Sequence, residues 1–194
     1  MVTRKPRVLH LGKFDIRGKH AGGVEKVIEE DATSLKAEYE TAVVAFGDTK
    51  SFTCLKRNGI THFLIPIHIT ISFAPLNIWL PVYLHKIMKS FTPHILHAHM
   101  PGLIPFFAYR YLKKYPLLVH WHADVDGSSV ARSLLFPVYK LLENRVLHHA
   151  DQVIATSLPY LDASPVLGQQ RKKTSIIPIG IQHDVKRQES DVHC

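Results

Sequence analysis

His94-Ile95-Leu96-His97-Ala98, a helical pattern from Leu103 to Tyr115, and Leu117-Leu118-Val119-His120-Trp121 make a strand–helix–strand unit. Two short apolar strands separated by a helix cannot be a hairpin, so they lie parallel in one sheet, joined by a crossover. That crossover is right-handed in nearly every known case. The same alternation continues on both sides. Upstream, Val8 to Leu11 and Thr41 to Phe46 read as strands around a helix whose apolar positions are Val24, Val27, Ile28, Ala32 and Leu35. Thr61 to Ile67 reads as a third strand, and Ile78 to Phe91 as a helix stopped by Thr92-Pro93.

Downstream, a long helix is predicted from Ser129 to His149, with Leu134, Leu135, Val138, Leu141, Leu142 and Val146 on one face. Gln152 to Thr156 follows as a strand, Ser157 is placed to cap a short helix, and Ser175 to Ile179 is the last strand, ended by Gly180. Strands rich in Val, Ile and Leu that alternate with helices imply a parallel sheet covered on both faces. The expected fold is α/β, a single Rossmann-like, doubly wound, mostly parallel sheet over residues 1–181. Residues 182–194 lose apolar periodicity and read as an irregular tail.

Composition agrees with one globular domain. The chain has 194 residues, 46% hydrophobic and 21% charged, which excludes a disordered tail, a collagen-like repeat and a disulfide-built miniature fold. Two cysteines, Cys54 and Cys194, are too few for a disulfide framework and fit a reducing, cytoplasmic chain. No secretion signal is read at the N-terminus. Between Arg57 and Lys86 no Asp, Glu, Lys or Arg occurs, long enough on paper to cross a bilayer. Pro66, Pro75 and Pro81 interrupt it, so a strand, a loop and a helix are expected instead. The net charge of +8 is spread over Arg4/Lys5/Arg7, Lys113/Lys114 and Arg171/Lys172/Lys173. Basic residues are not interleaved with aromatics, so nucleic acid is not the expected partner; an anionic membrane surface fits better.

In an open parallel sheet, ligands bind beyond the carboxyl ends of the strands. There the loop after the first strand delivers Ala21-Gly22-Gly23-Val24-Glu25 to a helix N-terminus. Gly22 and Gly23 permit close approach of a ligand, and free N–H groups suit a phosphate or sugar oxygen. The competing reading is a helix start that needs glycine for its own sake. The pattern is neither Gly-x-Gly-x-x-Gly nor a P-loop, so a nicotinamide site is not expected.

His97 and His99 bracket the end of one strand, and His120 and His122 the end of the next. A metal cluster would need a carboxylate from Asp124 or Asp126, and no His-Glu-x-x-His or Cys-x-x-Cys accompanies it. The expectation is therefore no metal, and a polar rim in which His122 contacts a hydroxylated substrate. There is no Gly-x-Ser-x-Gly elbow and no pair of facing carboxylates, which removes serine hydrolase and glycosidase chemistry.

Five stretches in order complete the reading: Ala21-Gly22-Gly23-Val24-Glu25, Pro93 to His99, Trp121-His122-Ala123-Asp124-Val125, Ala150 to Ser157, and Ile176-Ile177-Pro178-Ile179-Gly180-Ile181. Together they resemble the N-terminal domain of retaining, family-4 type GT-B glycosyltransferases of bacterial lipopolysaccharide, O-antigen and exopolysaccharide synthesis. Tyr160 to Leu167 looks like the mannosyl- and rhamnosyltransferase branch. The resemblance implies donor contacts at Gly22 and Gly23, a catalytic contact from His122 to the donor sugar, and acceptor contacts at Asp124 and Arg145. It implies a nucleotide-sugar co-substrate such as GDP-mannose, no cofactor or metal, and a lipid-linked or glycan acceptor at the inner face of the cell membrane. In that family a second, nucleotide-binding domain follows the Ile-Pro-x-Gly segment. Here it is expected to be absent, so that this chain alone would be weakly active or inactive. The alternative is a non-catalytic binding module, or a subunit whose partner supplies the nucleotide-binding domain.

Overall fold

The computed structural model describes residues 4–71, 74–125, 130–180 and 192–193. The strands are β1 (Arg7–Phe14), β2 (Glu40–Gly47), β3 (Thr53–Arg57), β4 (Ile60–Pro66), β5 (Ile69–Ile71), β6 (Ala74–Leu76), β7 (Ile95–Met100), β8 (Leu117–Trp121), β9 (Gln152–Ala155), β10 (Thr174–Ile176) and β11 (Val192–His193). The helices are α1 (Gly23–Leu35), α2 (Leu80–Phe91), α3 (Ile104–Phe107), α4 (Tyr109–Leu112), α5 (Val130–His149), α6 (Leu158–Ala163) and α7 (Pro165–Gly168).

The main sheet runs β10-β9-β8-β7-β1-β2-β4-β3-β11. From β10 to β4 every pairing is parallel, and only the β4–β3 and β3–β11 pairings of this sheet are antiparallel. The chain moves outward in one direction from β1 to β2 and β4, then returns to β7 and moves outward in the other. The order reverses between β1 and β7, which is where a doubly wound sheet binds its ligand. The Rossmann-like expectation holds.

Alternation along each strand sends side chains to two different layers. Leu9 and Leu11 of β1, Leu96, Ala98 and Met100 of β7, and Leu117, Val119 and Trp121 of β8 enter the larger core, with α2 and the end of α5. On the other face Val43, Ala45 and Leu64 pack against Ile28 and Ala32 of α1. Gly47 is fitted to this sheet, because a Cβ there would stand 3.1 Å from Leu64 Cβ.

Several expectations shift. The helix predicted from Leu103 to Tyr115 is two four-residue helices, α3 and α4, with Ala108 between them. Among the described side chains of α5, Val146 is buried and Leu142 packs against the core as predicted, whereas Val138 and Leu141 are exposed and Glu143 and Leu147 are buried. The uncharged stretch between Arg57 and Lys86 becomes β4, a β5–β6 hairpin and the start of α2, and no described helix is long and apolar enough to cross a membrane. Ser157 caps α6 as expected, accepting the Tyr160 N–H. Strands β3, β5 and β6 are too short or too polar to stand out in the sequence. Most of the predicted tail lies outside the described residues, but Val192 and His193 pair with Lys56 and Leu55 of β3, so the segment is not irregular throughout. Cys54 is disulfide-bonded, a pairing not expected from the sequence.

Candidate functional site

At the carboxyl ends of the strands, Gly23, Val24, Lys26, Val27 and Glu30 of α1 face His122, Ile179 and Gly180 across a cavity of about 360 Å³. Two of the sequence-predicted site residues, Gly23 and His122, therefore meet, although 99 positions separate them in the chain. Lys26 and Glu30 were not anticipated. Their signal is helical spacing: positions 23, 26, 27 and 30 fall on one face of α1, so a ligand at the helix start meets them in turn.

The helix start is built differently from the expectation. Gly22 is the N-cap, and its N–H donates to Glu25 Oε2 at 2.9 Å. Glu25 Oε1 also accepts the Phe14 N–H at 3.3 Å. A carboxylate of the helix itself thus takes up the Gly22 amide, and only the following amides remain for a ligand. Neither glycine is required by the backbone. Gly22 has φ −143°, and a Cβ on Gly23 would meet nothing within 4 Å. The backbone therefore does not demand glycine at the helix start, and the open space beside Gly23 lies on the cavity wall.

Behind the cavity lies a layer of imidazoles. His10 of β1 stands in register with His97 of β7, and His99 of β7 with His120 of β8. All four are at most 4% exposed. His10 Nδ1 lies 3.2 Å from His99 Nε2, and His99 Nδ1 lies 3.1 Å from His122 Nε2. The His122 N–H donates to the Met100 carbonyl at 2.9 Å, fixing the backbone as it leaves β8. Burial lowers His10 to about 4 and His122 to about 3, from the ordinary 6.5, with His120 adding repulsion at both. His97 and His99 are held well below the ordinary value, again first by burial. His10, His97, His99 and His122 are therefore neutral at physiological pH.

Asp124 and Arg145 are not brought to the cavity. Asp124 Oδ1 accepts from Trp121 Nε1 and from Ser164 Oγ, both at 3.0 Å. Arg145 is exposed on α5, its guanidinium 6.0 Å from the centre of the Tyr109 ring. Asp126, the other carboxylate considered in the sequence, lies outside the described residues.

A doubly wound sheet whose glycine-started first helix and post-β8 histidine face one cavity has the Rossmann-like architecture found in GT-B folds. The chain belongs to glycosyltransferase family 4, whose sequence model matches residues 21–185. It is 24% identical to the D-rhamnosyltransferase WbpZ of Pseudomonas aeruginosa over 193 residues, covering 92% of this chain and 45% of that protein. Over 102 residues it is 31% identical to O-antigen chain mannosyltransferase C of Escherichia coli, covering 50% of this chain and 26% of that protein. Among solved structures, HepE of Anabaena in complex with UDP and glucose superposes with a TM-score of 0.59 at 16% identity, over 91% of this chain and 45% of that one. The chain thus spans less than half the length of these relatives.

Proposed function

We propose that this chain forms the acceptor-side wall of a retaining glycosyltransferase that moves a hexose from a nucleotide sugar, of the GDP-mannose kind, onto a lipid-linked or polysaccharide acceptor in O-antigen synthesis. The observation that carries this reading is the shared cavity of Gly23 and His122. In the reaction the bond between the anomeric carbon and the donor phosphate breaks, and the acceptor oxygen bonds to that carbon on the same face. The acceptor's hydroxyl proton leaves with the phosphate. His122 commits Nε2 to His99, so Nδ1 is the nitrogen left for a donor-sugar oxygen. Lys26, on the cavity wall, supplies positive charge toward the departing phosphate. No metal enters the transfer.

The nucleotide is held by residues from outside these 194 positions. Ile177 and Ile179 are 51% and 47% exposed beside the cavity, which supports docking of a second domain there. The inner membrane face is the proposed location, on the strength of the +8 charge and of Ile78 and Trp79, which are exposed at the start of α2.

A transfer assay tests the reading, using GDP-mannose and a lipid-linked acceptor, with and without a separately expressed nucleotide-binding half of a relative. Transfer is expected only in the mixture, and is expected to be lost with His122→Ala. Robust transfer by the chain alone would overturn the assignment of one wall. Saturable binding of acceptor without transfer in any mixture would favour the non-catalytic binding module instead.

A further inference from the structure

The imidazole layer holds more histidine than the cavity uses. His97 and His99 project from the same face of β7, His120 from β8, and Asp31 from α1 above them. One ligand atom from each of these four residues lies within 4.8 Å of the other three. His120 Nδ1 is 3.4 Å from Asp31 Oδ2. His97 Nε2 and His120 Nε2 are buried without a hydrogen-bond partner, in residues only 4% exposed. Unpartnered ring nitrogens are an expensive filling for a layer that elsewhere packs Val43, Ala45 and Ile28, unless something satisfies them.

We propose that Asp31, His97, His99 and His120 bind one zinc-class divalent metal ion that ties α1 to β7 and β8. Three imidazole nitrogens and one carboxylate suit zinc and its first-row neighbours, and exclude calcium and magnesium, which take oxygen ligands. Zinc–nitrogen bonds of about 2.0–2.1 Å in a tetrahedron set ligand atoms about 3.3 Å apart. Side-chain rotation closes the remaining distance. Four protein ligands complete the shell and leave no position for substrate, so the ion is structural and does not itself contact the reacting groups. His99 already contacts His10 and His122 through its two nitrogens; binding takes one and leaves the other as an N–H donor to the neighbouring imidazole. Asp31, partly exposed, gives the ion a route in.

The test uses the full chain without a histidine tag, stripped with EDTA and titrated with zinc chloride by calorimetry, and with cobalt(II) chloride by visible absorption. One equivalent of zinc is expected, together with the intense visible bands of four-coordinate cobalt and a rise in Tm. Asp31→Asn changes a partly exposed residue, so it preserves the fold and is expected to weaken zinc binding by roughly tenfold or more. His120→Phe, which keeps the ring volume, is expected to abolish the cobalt bands. A His148→Ala/His149→Ala control, on the far end of α5, is expected to bind as the parent does. Absence of stoichiometric zinc binding by the parent, or parent-like binding by both Asp31→Asn and His120→Phe, would overturn the site.

Discussion

His99 Nδ1 stands 3.1 Å from His122 Nε2, and this contact determines which nitrogen of His122 faces the cavity. The contact is the second link of a chain, since His10 Nδ1 lies 3.2 Å from His99 Nε2. In a neutral chain each link holds one proton, so all protons point the same way. Pointing away from the cavity would leave an N–H at His10 Nε2, which is buried and unpartnered. Pointing toward it leaves only a lone pair there, which costs less than an orphaned donor. The second arrangement makes His122 an Nδ1–H tautomer, a hydrogen-bond donor for a sugar or phosphate oxygen.

Nitrogen-15 NMR is therefore expected to show His122 as the neutral Nδ1–H tautomer at pH 7. His99→Ala removes the link and gives a mixture of tautomers while the His122 backbone stays bound to Met100. A single Nε2–H form in the parent would reverse the direction of the chain.

Glu143 gives a prediction about pH. It is fully buried on α5, Oε2 has no partner, and burial outweighs the contact with Lys140 to raise its carboxyl above the ordinary 4.5. The unfolded chain ionises this group near the ordinary value, and the folded chain resists doing so. Its contribution to stability is thus complete below about pH 4.3 and is lost as pH rises through the raised folded value. Glu143→Gln keeps the shape without the charge. Denaturant midpoints from pH 4 to 7 are expected to fall less steeply for the variant, with its relative advantage growing toward pH 7.

Asp124 separates a structural tie from an acceptor contact. Two bonds land on one oxygen, from Trp121 at the end of β8 and from Ser164, whose own hydroxyl caps α7. Asparagine keeps that oxygen; alanine orphans the indole N–H. Asp124→Ala is expected to lose about 2 kcal/mol in unfolding free energy, and Asp124→Asn less than about 1 kcal/mol. An Asn variant of parental stability that no longer engages acceptor would restore the role implied by the family resemblance.

The parallel core was legible because its strands are continuous apolar runs flanked by turn residues. β3 escaped notice because Thr53-Cys54-Leu55-Lys56-Arg57 is an edge segment with no such run. His122 and Gly23 could be read because the strand ends locate them. Asp31 could not: an acidic residue between Glu30 and Ala32 looks like a solvated helix position, and only the fold puts it beside His120. Asp124, read as an acceptor contact, does not line this cavity for a related reason. Asp124 follows His122 by two residues, yet the chain turns so that its carboxylate meets Trp121 and Ser164 instead.

Gly23 offers the sharpest separation of folding from function. It opens α1, lines the cavity, and has open space where a Cβ would stand. Alanine is a better helix residue than glycine by about 0.5–1 kcal/mol, so Gly23→Ala is expected to leave Tm unchanged or raise it slightly. The added methyl nevertheless projects from the edge of a cavity that a donor sugar must enter. In the reconstituted transfer assay the variant is expected to raise KM for the nucleotide sugar by roughly tenfold, the effect of about 1.4 kcal/mol lost from binding, and Gly23→Val more. A variant that is as stable as the parent and transfers equally well would show that the donor approaches along a different wall, with His122 then reached from the side of Ile179 and Gly180.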